Sequence, residues 1–522
     1  MTGAIVGFED KGGQVFNVKA YGAVGNGTTD DNAAIVATDA AAGAVGGTVY
    51  FPPGTYRTSH PLVPSSGVTW QGGPATITVL PSDYGNFGYS FIIIGTNSDV
   101  HIFDLTLDCQ KRNGSNPANQ CGCMAVGVRW IVQRCHFYDP NYFGLWIYNT
   151  SSVKIIDCQS SLGGNNDSIG GGGAQNVRIV RHRWNANCAG NRFDNVGGSN
   201  VVLDSCLDLS TAASGFYFEG MTDSGIINSV LTQAAGISLQ SDSGYAPPTV
   251  TNPLRCFAIN NKLIGSGNSG IEVEYGGSGT PNKGGYNVIA DNTVSLANTF
   301  GILVNTPYPA TPYTLGGDII RGNTVQDPNQ SNVTAVNTGV TTASVAGILV
   351  VGSGVLVNGN TVADDRASPQ MGYAIQIGGG AGNGATNCQV INNNNHGSTN
   401  NLYLGSGDIG VQGTISDVTI NNNHTGLGVA DYPNSTTTRG NVGYNPLGLV
   451  SVGVPGSGTP VTRANYDRTF YVTAGAGGAC TCVVSGATTA VIPALGFGAI
   501  FVPAGKTLAW TGTVPTWTVY GN

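Results

Sequence analysis

The chain has 522 residues, of which 80 are glycine; only 10% are Asp, Glu, Lys or Arg, and the formal net charge is −8. So little charge argues against a solvated helical bundle, and apolar residues recurring throughout argue against disorder. No basic patch is dense enough for a phosphate backbone, so nucleic acid is not an expected partner and a neutral or hydroxyl-rich ligand is.

Met1-Thr2-Gly3-Ala4 begins no signal-peptide pattern, and no run of about eighteen apolar residues occurs, so no membrane insertion is expected. The 11 cysteines are odd in number and widely spread, which does not indicate a disulfide scaffold. Cys121-Gly122-Cys123 and Cys480-Thr481-Cys482 lack the spacing of zinc half-sites, and no His/Cys cluster completes them. No metal and no cofactor are expected.

In chain order, Phe16-Asn17-Val18-Lys19-Ala20-Tyr21-Gly22-Ala23 reads as a short strand and turn. A second turn at Gly25–Thr29 leads to Asp30 and Asp31, placed to start a helix over Ala33–Ala42 that Gly43 ends. Gly46–Tyr56 returns as a strand and turn. This block resembles the N-terminal signature of the pectate-lyase-like β-helix superfamily. The resemblance implies a helix capping the open end of a right-handed parallel β-helix. That superfamily includes phage tailspikes, pectin-active hydrolases and lyases, fructotransferases and mannuronan epimerases, so it says little about reaction type.

Beyond residue 100 the chain repeats. Cys135, Cys158 and Cys206 fall in one register, with His182 midway across the longer gap. A second register begins at Gly144-Leu145-Trp146-Ile147-Tyr148 and returns at Gly190, Gly215, Gly236, Gly270 and Gly301. A third carries Asn292, Asn323 and Asn360, then the Asn-rich stretches at 392–395 and 421–423. One such coil cannot bury its own apolar side, but stacked coils make a continuous core, and asparagines at equivalent turns suggest a ladder of hydrogen bonds. The cysteine register reads as a column of small buried side chains. After residue 456 the strand-like runs leave this period, and Lys506–Trp510 with Thr513–Tyr520 suggests a hairpin around Thr511-Gly512. The expected architecture is all-β: a cap over residues 1–57, a right-handed parallel β-helix over 58–455, and a small C-terminal antiparallel β domain over 456–522. The last resembles short modules that end some phage tail proteins.

Alternation along the glycine register turns Leu145, Ile147, Phe216, Phe218, Ile271 and Val273 inward. The residues between them form two outward columns. Trp146, Arg192, Tyr217 and Glu272 make one; Tyr148, Asp194, Glu219 and Glu274 make the other. Coils about 4.8 Å apart would set Asp194 about 5 Å from Glu219. Paired carboxylates are the equipment of a glycosidase, and crowded acids raise one another's pKa, keeping one protonated as the general acid. Asp194, Glu219, Glu272 and Glu274 are therefore the expected catalytic acids. Trp146, Tyr148 and Tyr217 are placed to stack under sugar rings, with Arg192, Asp167 and His136 as polar contacts.

The stretch 103–195 also resembles mannuronan C5-epimerases. In that family the strand after Tyr-Gly-Phe carries Asp-Pro-His, whereas Phe143-Gly144-Leu145-Trp146-Ile147-Tyr148 has Trp146 and Tyr148 at the Asp and His positions. The departure counts against epimerase or lyase chemistry by the family's own residues. The leading expectation is a hydrolytic polysaccharide depolymerase, extracellular or on a phage tail and homotrimeric. The alternatives are a uronate lyase or epimerase using Tyr148 or Tyr217 with Arg192, and a non-catalytic carbohydrate-binding spike or adhesin.

Overall fold

A computed structural model describes residues 14–521 apart from 88–89, 114–120, 163–166, 186–187, 189, 211–214, 233–235, 243–251, 267–268, 276–283, 306–316, 332–334, 338–341, 379–384, 397–408, 412–414, 417, 426–428, 431–435, 440–441, 444–467, 486, 504–505 and 513. The chain divides into two compact units, Met1–Gly267 and Asn268–Asn522. The boundary expected at residue 456 lies outside the described residues.

In the first unit, helix α1 (Asn32–Gly43) buries Ile35 and Ala42 completely. Asp31 stands at its start, yet its side chain makes no capping bond. Its carboxylate instead accepts from the backbone amides of Val24 and Gly25 at 2.6 and 3.1 Å. Asp30 accepts from the Asn32 amide at 3.2 Å and from Ser59 Oγ at 2.6 Å. Charge-assisted bonds thus hold two loops against the helix start, a stronger use of these acids than end-capping alone.

The coils that follow are those of a right-handed parallel β-helix. Each has one strand, the rung, on a sheet of its own, and most have two further strands on a second sheet. The first unit's rungs are β1 (Ser90–Ile94), β2 (Cys121–Ala125), β3 (Leu145–Tyr148), β4 (Ile169–Gly172), β5 (Phe193–Val196), β6 (Phe216–Glu219) and β7 (Ile237–Gln240). Successive rungs pair in parallel. Leu145, Ile147, Phe216 and Phe218 point inward and are fully buried, as expected.

The two second-sheet strands of a coil are joined by two residues, the first in the left-handed region: Arg134, Asp157, Arg181, Ser205, Asn228 and Asn260 all have φ between 52° and 55°. Left-handed backbone costs a non-glycine residue about 1–2 kcal/mol. Stacking the bends recovers some of that, because Arg181 Nε donates to Asp157 at 2.6 Å and Asn260 Nδ2 to Asn228 at 2.8 Å. The next residue turns inward and gives the cysteine column. Its members are buried, but they also work as acceptors: the Cys135 amide reaches Cys158 Sγ at 3.4 Å, and the Cys206 amide reaches Ser229 Oγ at 3.0 Å. His182 occupies this column fully buried, bonded to Ser160 at 3.0 Å.

In the second unit the rungs are β8 (Ile271–Glu274), β9 (Ile302–Asn305), β10 (Ala346–Ser353), β11 (Tyr373–Ile377), β12 (Ile409–Val411) and β13 (Val429–Ala430). Ile271 and Val273 are fully buried. The asparagine ladder is present at the bends. Asn323 Oδ1 accepts from the Asn292 amide at 3.0 Å, Asn360 Oδ1 from Asn323 at 2.9 Å, and Asn393 and Asn423 continue it. On the outward face of β9 and β10, Leu303, Leu349 and Val351 pack with Phe300, Val345 and Tyr373 in one buried cluster.

The C-terminal module has two three-stranded antiparallel sheets. Arg468–Thr473 pairs with Phe497–Val502 and Thr516–Gly521, while Cys480–Val484 pairs with Ala487–Ile492 and Leu508–Gly512. The last two strands therefore belong to different sheets and do not form the expected hairpin. Gly512, at φ 104°, ends the first where the chain crosses. Phe470, Cys480, Cys482 and Trp510 meet between the sheets.

Candidate active site

The register of the first unit corrects one coil of the sequence alignment. Leu145 pairs with Ile169, Ile169 with Phe193 and Phe193 with Phe216. Arg192, not Gly190, thus holds the corner that Gly144 and Gly215 hold in other coils. One outward column runs Trp146, Gly170, Asp194, Tyr217, Ser238; the other runs Tyr148, Gly172, Val196, Glu219, Gln240. Asp194 and Glu219 are diagonal neighbours on β5 and β6, not direct ones. Rungs about 4.8 Å apart and residues about 3.3 Å apart put their Cα atoms about 8 Å from each other.

Arg192 does not join this surface. Its side chain is fully buried, with Nε 2.6 Å from Ser210 Oγ and 3.3 Å from the Asp208 carboxylate, itself fully buried. A corner that sends a side chain inward can hold a guanidinium only if an anion goes in with it. Asp208 supplies that anion, and nothing in the local Gly-Asn-Arg-Phe-Asp pattern announced it.

The outward acids cluster. Burial and then the charge of Asp194 push Asp167 up to about 7, against bonds from Asn191. Glu219 is pushed up to about 7 by burial, then by Asp194 and Asp242, against its bond from Gln240. Asp194 itself is raised by burial, opposed by Asn191 Nδ2 at 3.0 Å. Gln240 is fixed in turn by Ser238 Oγ at 2.8 Å. The three acids form one interacting set in which protons and charge are shared near neutrality.

Between the aromatic rung β3 and the acid rung β5 lies β4, whose outward positions are Gly170 and Gly172. A Cβ on Gly170 would stand 2.5 Å from the Phe143 ring and 3.3 Å from Asp167 Oδ2, so only glycine leaves both where they are. Phe143 packs on Trp146 at 4.3 Å between centroids, and Trp146 stacks on Tyr148 at 5.6 Å with 17° between planes. Tyr148 is 53% exposed. The result is a shallow trough with aromatic rings on one side and carboxyls on the other. The run Gly170–Gly173 was visible in the sequence; that it forms the trough floor follows from the register.

His136 stands apart from this face. It lies on His136–Tyr138 of the second sheet, with Nε2 2.8 Å from Ser161 Oγ, and burial lowers its pKa. Glu272 and Glu274 belong to β8 of the second unit, where burial and then Glu274 raise Glu272 to about 7 and burial raises Glu274.

Residues 15–114 match the family model described as rhamnogalacturonase A/epimerase, pectate lyase-like. The fold is that of a parallel β-helix, and the similarity to pectate-lyase-like proteins rests on that N-terminal stretch. Mannuronan C5-epimerase AlgE6 of Azotobacter vinelandii is 57% identical over 53 residues, which are 10% of this chain and 6% of the epimerase. A Penicillium expansum protein named non-secreted LysM effector LysM15 is 39% identical over 102 residues, 17% of this chain and 7% of its own. Among solved structures, the tailspike protein of E. coli bacteriophage HK620 matches with a TM-score of 0.56 at 12% identity, covering 97% of this chain and 93% of the tailspike. Bacteriophage phi29 gene product 12 matches at 0.52 and 17% identity, over 82% and 55%. These structural likenesses concern the fold.

Proposed function

We propose that the chain is a polysaccharide-acting enzyme whose site is the trough on the first unit, cleaving glycosidic bonds by acid/base hydrolysis. The observation that carries this is the interacting set Asp167, Asp194 and Glu219 facing outward beside Trp146, Tyr148 and Tyr217. In this reading Glu219, holding its proton up to about 7, gives it to the glycosidic oxygen as the C–O bond breaks. Asp194, ionised, takes a proton from the water that attacks the anomeric carbon. The diagonal placement on neighbouring rungs, with Cα atoms about 8 Å apart, separates the two acids enough to act as a pair from opposite sides of the bond. Asp167, beside Asp194, keeps one negative charge from becoming two. Glu272 and Glu274 have no role in this mechanism, which departs from the four-acid expectation.

The similarity to the epimerases and to a tailspike described in complex with a pentasaccharide supports a polysaccharide as substrate and an extracellular or virion setting. A parallel homotrimer is part of the same proposal, read by sedimentation equilibrium. The epimerase relatives also favour a second reading, elimination or epimerisation of a uronate. That reading relied on Arg192 to neutralise the carboxylate, and Arg192 is enclosed with Asp208. The test is digestion of a panel of neutral and acidic polysaccharides, following new reducing ends together with the ultraviolet absorbance of unsaturated uronates. Reducing ends without absorbance are expected, and Glu219→Gln abolishes them. Absorbance rising with the ends overturns hydrolysis in favour of elimination, and binding with neither signal leaves a carbohydrate-binding spike.

A further inference from the structure

A cleft of about 400 Å³ opens where the chain turns off rungs β1, β2 and β3, on the N-terminal side of the trough. Ser66, Thr96, Ser98, Val126, Tyr148 and Asn149 are among its lining residues, and the whole lining contains no Asp, Glu, Lys, Arg or His. Its floor is two turns packed backbone to backbone. A Cβ on Gly95 would lie 2.1 Å from the Gly127 amide nitrogen, and one on Gly127 would lie 2.3 Å from Asn97 O.

The floor's own polar groups are already occupied. Trp130 Nε1 donates to Asn97 O at 2.7 Å, Thr150 Oγ1 to Gly127 O at 2.7 Å, and Asn97 Nδ2 to Pro64 O at 2.8 Å. These bonds fix the cleft's shape without using its rim. Thr96 and Asn149 are exposed, and among the described residues their side chains make no hydrogen bond. The half-exposed ring of Tyr148 closes one wall, backed by Trp146. A rigid concavity of this size, with an aromatic wall and a few uncommitted hydroxyl and amide groups, has the anatomy of a small-molecule site. An exposed tyrosine face offers apolar area at low entropic cost. The uncharged lining selects against a uronate: Arg129, whose Nη2 donates to the lining Ser98 Oγ at 3.1 Å, is already paired with Asp99 at 2.6 and 2.7 Å, so an entering carboxylate would lose water and find that cation taken.

We propose that this cleft is a second carbohydrate subsite, specific for neutral sugar units. The ligand class rests on the carbohydrate reading above, but the site is separate from the acids. Tyr148 precedes Glu219 by three coils, about 14 Å at about 4.8 Å per coil. A glycan lying along the rungs would therefore reach from the acids across the glycine floor to the cleft.

The test is binding of the full chain to an array of neutral and acidic glycans, using wild type, Glu219→Gln, Thr96→Trp and Tyr148→Ala. Thr96 is exposed, so the tryptophan fills the cleft from the solvent side, and Asn149→Ala serves as a second variant if Thr96→Trp melts early. Neutral glycans are expected to bind wild type and Glu219→Gln alike. Thr96→Trp and Tyr148→Ala should each weaken that binding roughly tenfold or more, about 1.4 kcal/mol. Unchanged binding in the cleft variants overturns the proposal, as does an array on which only acidic glycans, or none, bind. The catalytic reading fails separately: a protein that binds through the cleft but releases no reducing ends keeps the subsite and loses the enzyme.

Discussion

Replacing Asp194 with asparagine removes the charge that links the three acids of the trough while keeping the side chain's size. Taking the Cα spacing of about 8 Å as the scale of the charge separation and an effective dielectric near 20, one charge contributes about 2 kcal/mol to its neighbour, roughly 1.5 pKa units. Glu219 is partly exposed, and solvent screening lowers this to about one unit or less. Glu219 is therefore expected to titrate near 7 in the wild type and clearly lower in Asp194→Asn, with burial and Asp242 holding it above the ordinary carboxylate range. The sequence makes the measurement tractable: the only glutamates are Glu9, Glu219, Glu272 and Glu274. Labelling the glutamate carboxyl carbon with ¹³C gives one NMR resonance for each, assigned by single Gln substitutions. A Glu219 midpoint in the usual carboxylate range, or one that Asp194→Asn leaves in place, refutes the coupling and with it the assignment of acid and base.

Because Glu219 must be protonated to act, kcat/KM should fall about tenfold per pH unit above about 7, and Glu219→Gln should lose about 10²–10⁴ of the rate with its melting temperature kept. Glu272 has a raised folded-state pKa, so the stability it contributes is full below the ordinary carboxylate range and is lost as pH rises through about 7; in calorimetry, Glu272→Gln should gain on wild type at pH 8 relative to pH 4. Arg192→Met strands the buried Asp208 carboxylate and should cost about 3–5 kcal/mol in denaturant unfolding, most of it recovered in Arg192→Met/Asp208→Leu. Asn323→Ala removes the acceptor of the Asn292 amide and the donor to Ile289 O, so hydrogen exchange at Asn292 should speed up by roughly 10-fold or more, at about 1 kcal/mol or more per bond lost.

What could be read from the sequence was whatever repeats. The inward pairs Leu145/Ile147 and Phe216/Phe218 and the asparagine ladder follow from periodicity and stand where they were expected; helix α1 stands close to its expected span, although Asp31 does not cap it and Gly43 lies inside it. The coil at 190–196 was misread because glycine was taken as the register mark, although a corner needs only a residue whose side chain can be accommodated; a buried guanidinium meets that need once Asp208 and Ser210 surround it. The error put Asp194 in Tyr148's column instead of Trp146's and brought Arg192 to the surface. Tyr217 and Glu219 were unaffected, since Gly215 does hold the corner. The terminal strands were legible as strands but not as partners, because a Thr-Gly turn fits a sheet crossing as well as a hairpin.

The bends that carry the left-handed residues have a consequence for how such a chain can change. From Arg181 to Ser205 the coil takes 24 residues and from Asn228 to Asn260 it takes 32, yet both coils pass through the same two-residue link between second-sheet strands. In the sequence the additional residues fall between the rung Ile237–Gln240 and the second-sheet strand Phe257–Ile259. A graft or deletion there alters what lines the ligand surface while leaving the stacked column in phase. Loop exchange between relatives should thus retune sugar preference at little expense in stability, whereas a single residue added to a bend would turn every inward side chain of the following strand to face solvent.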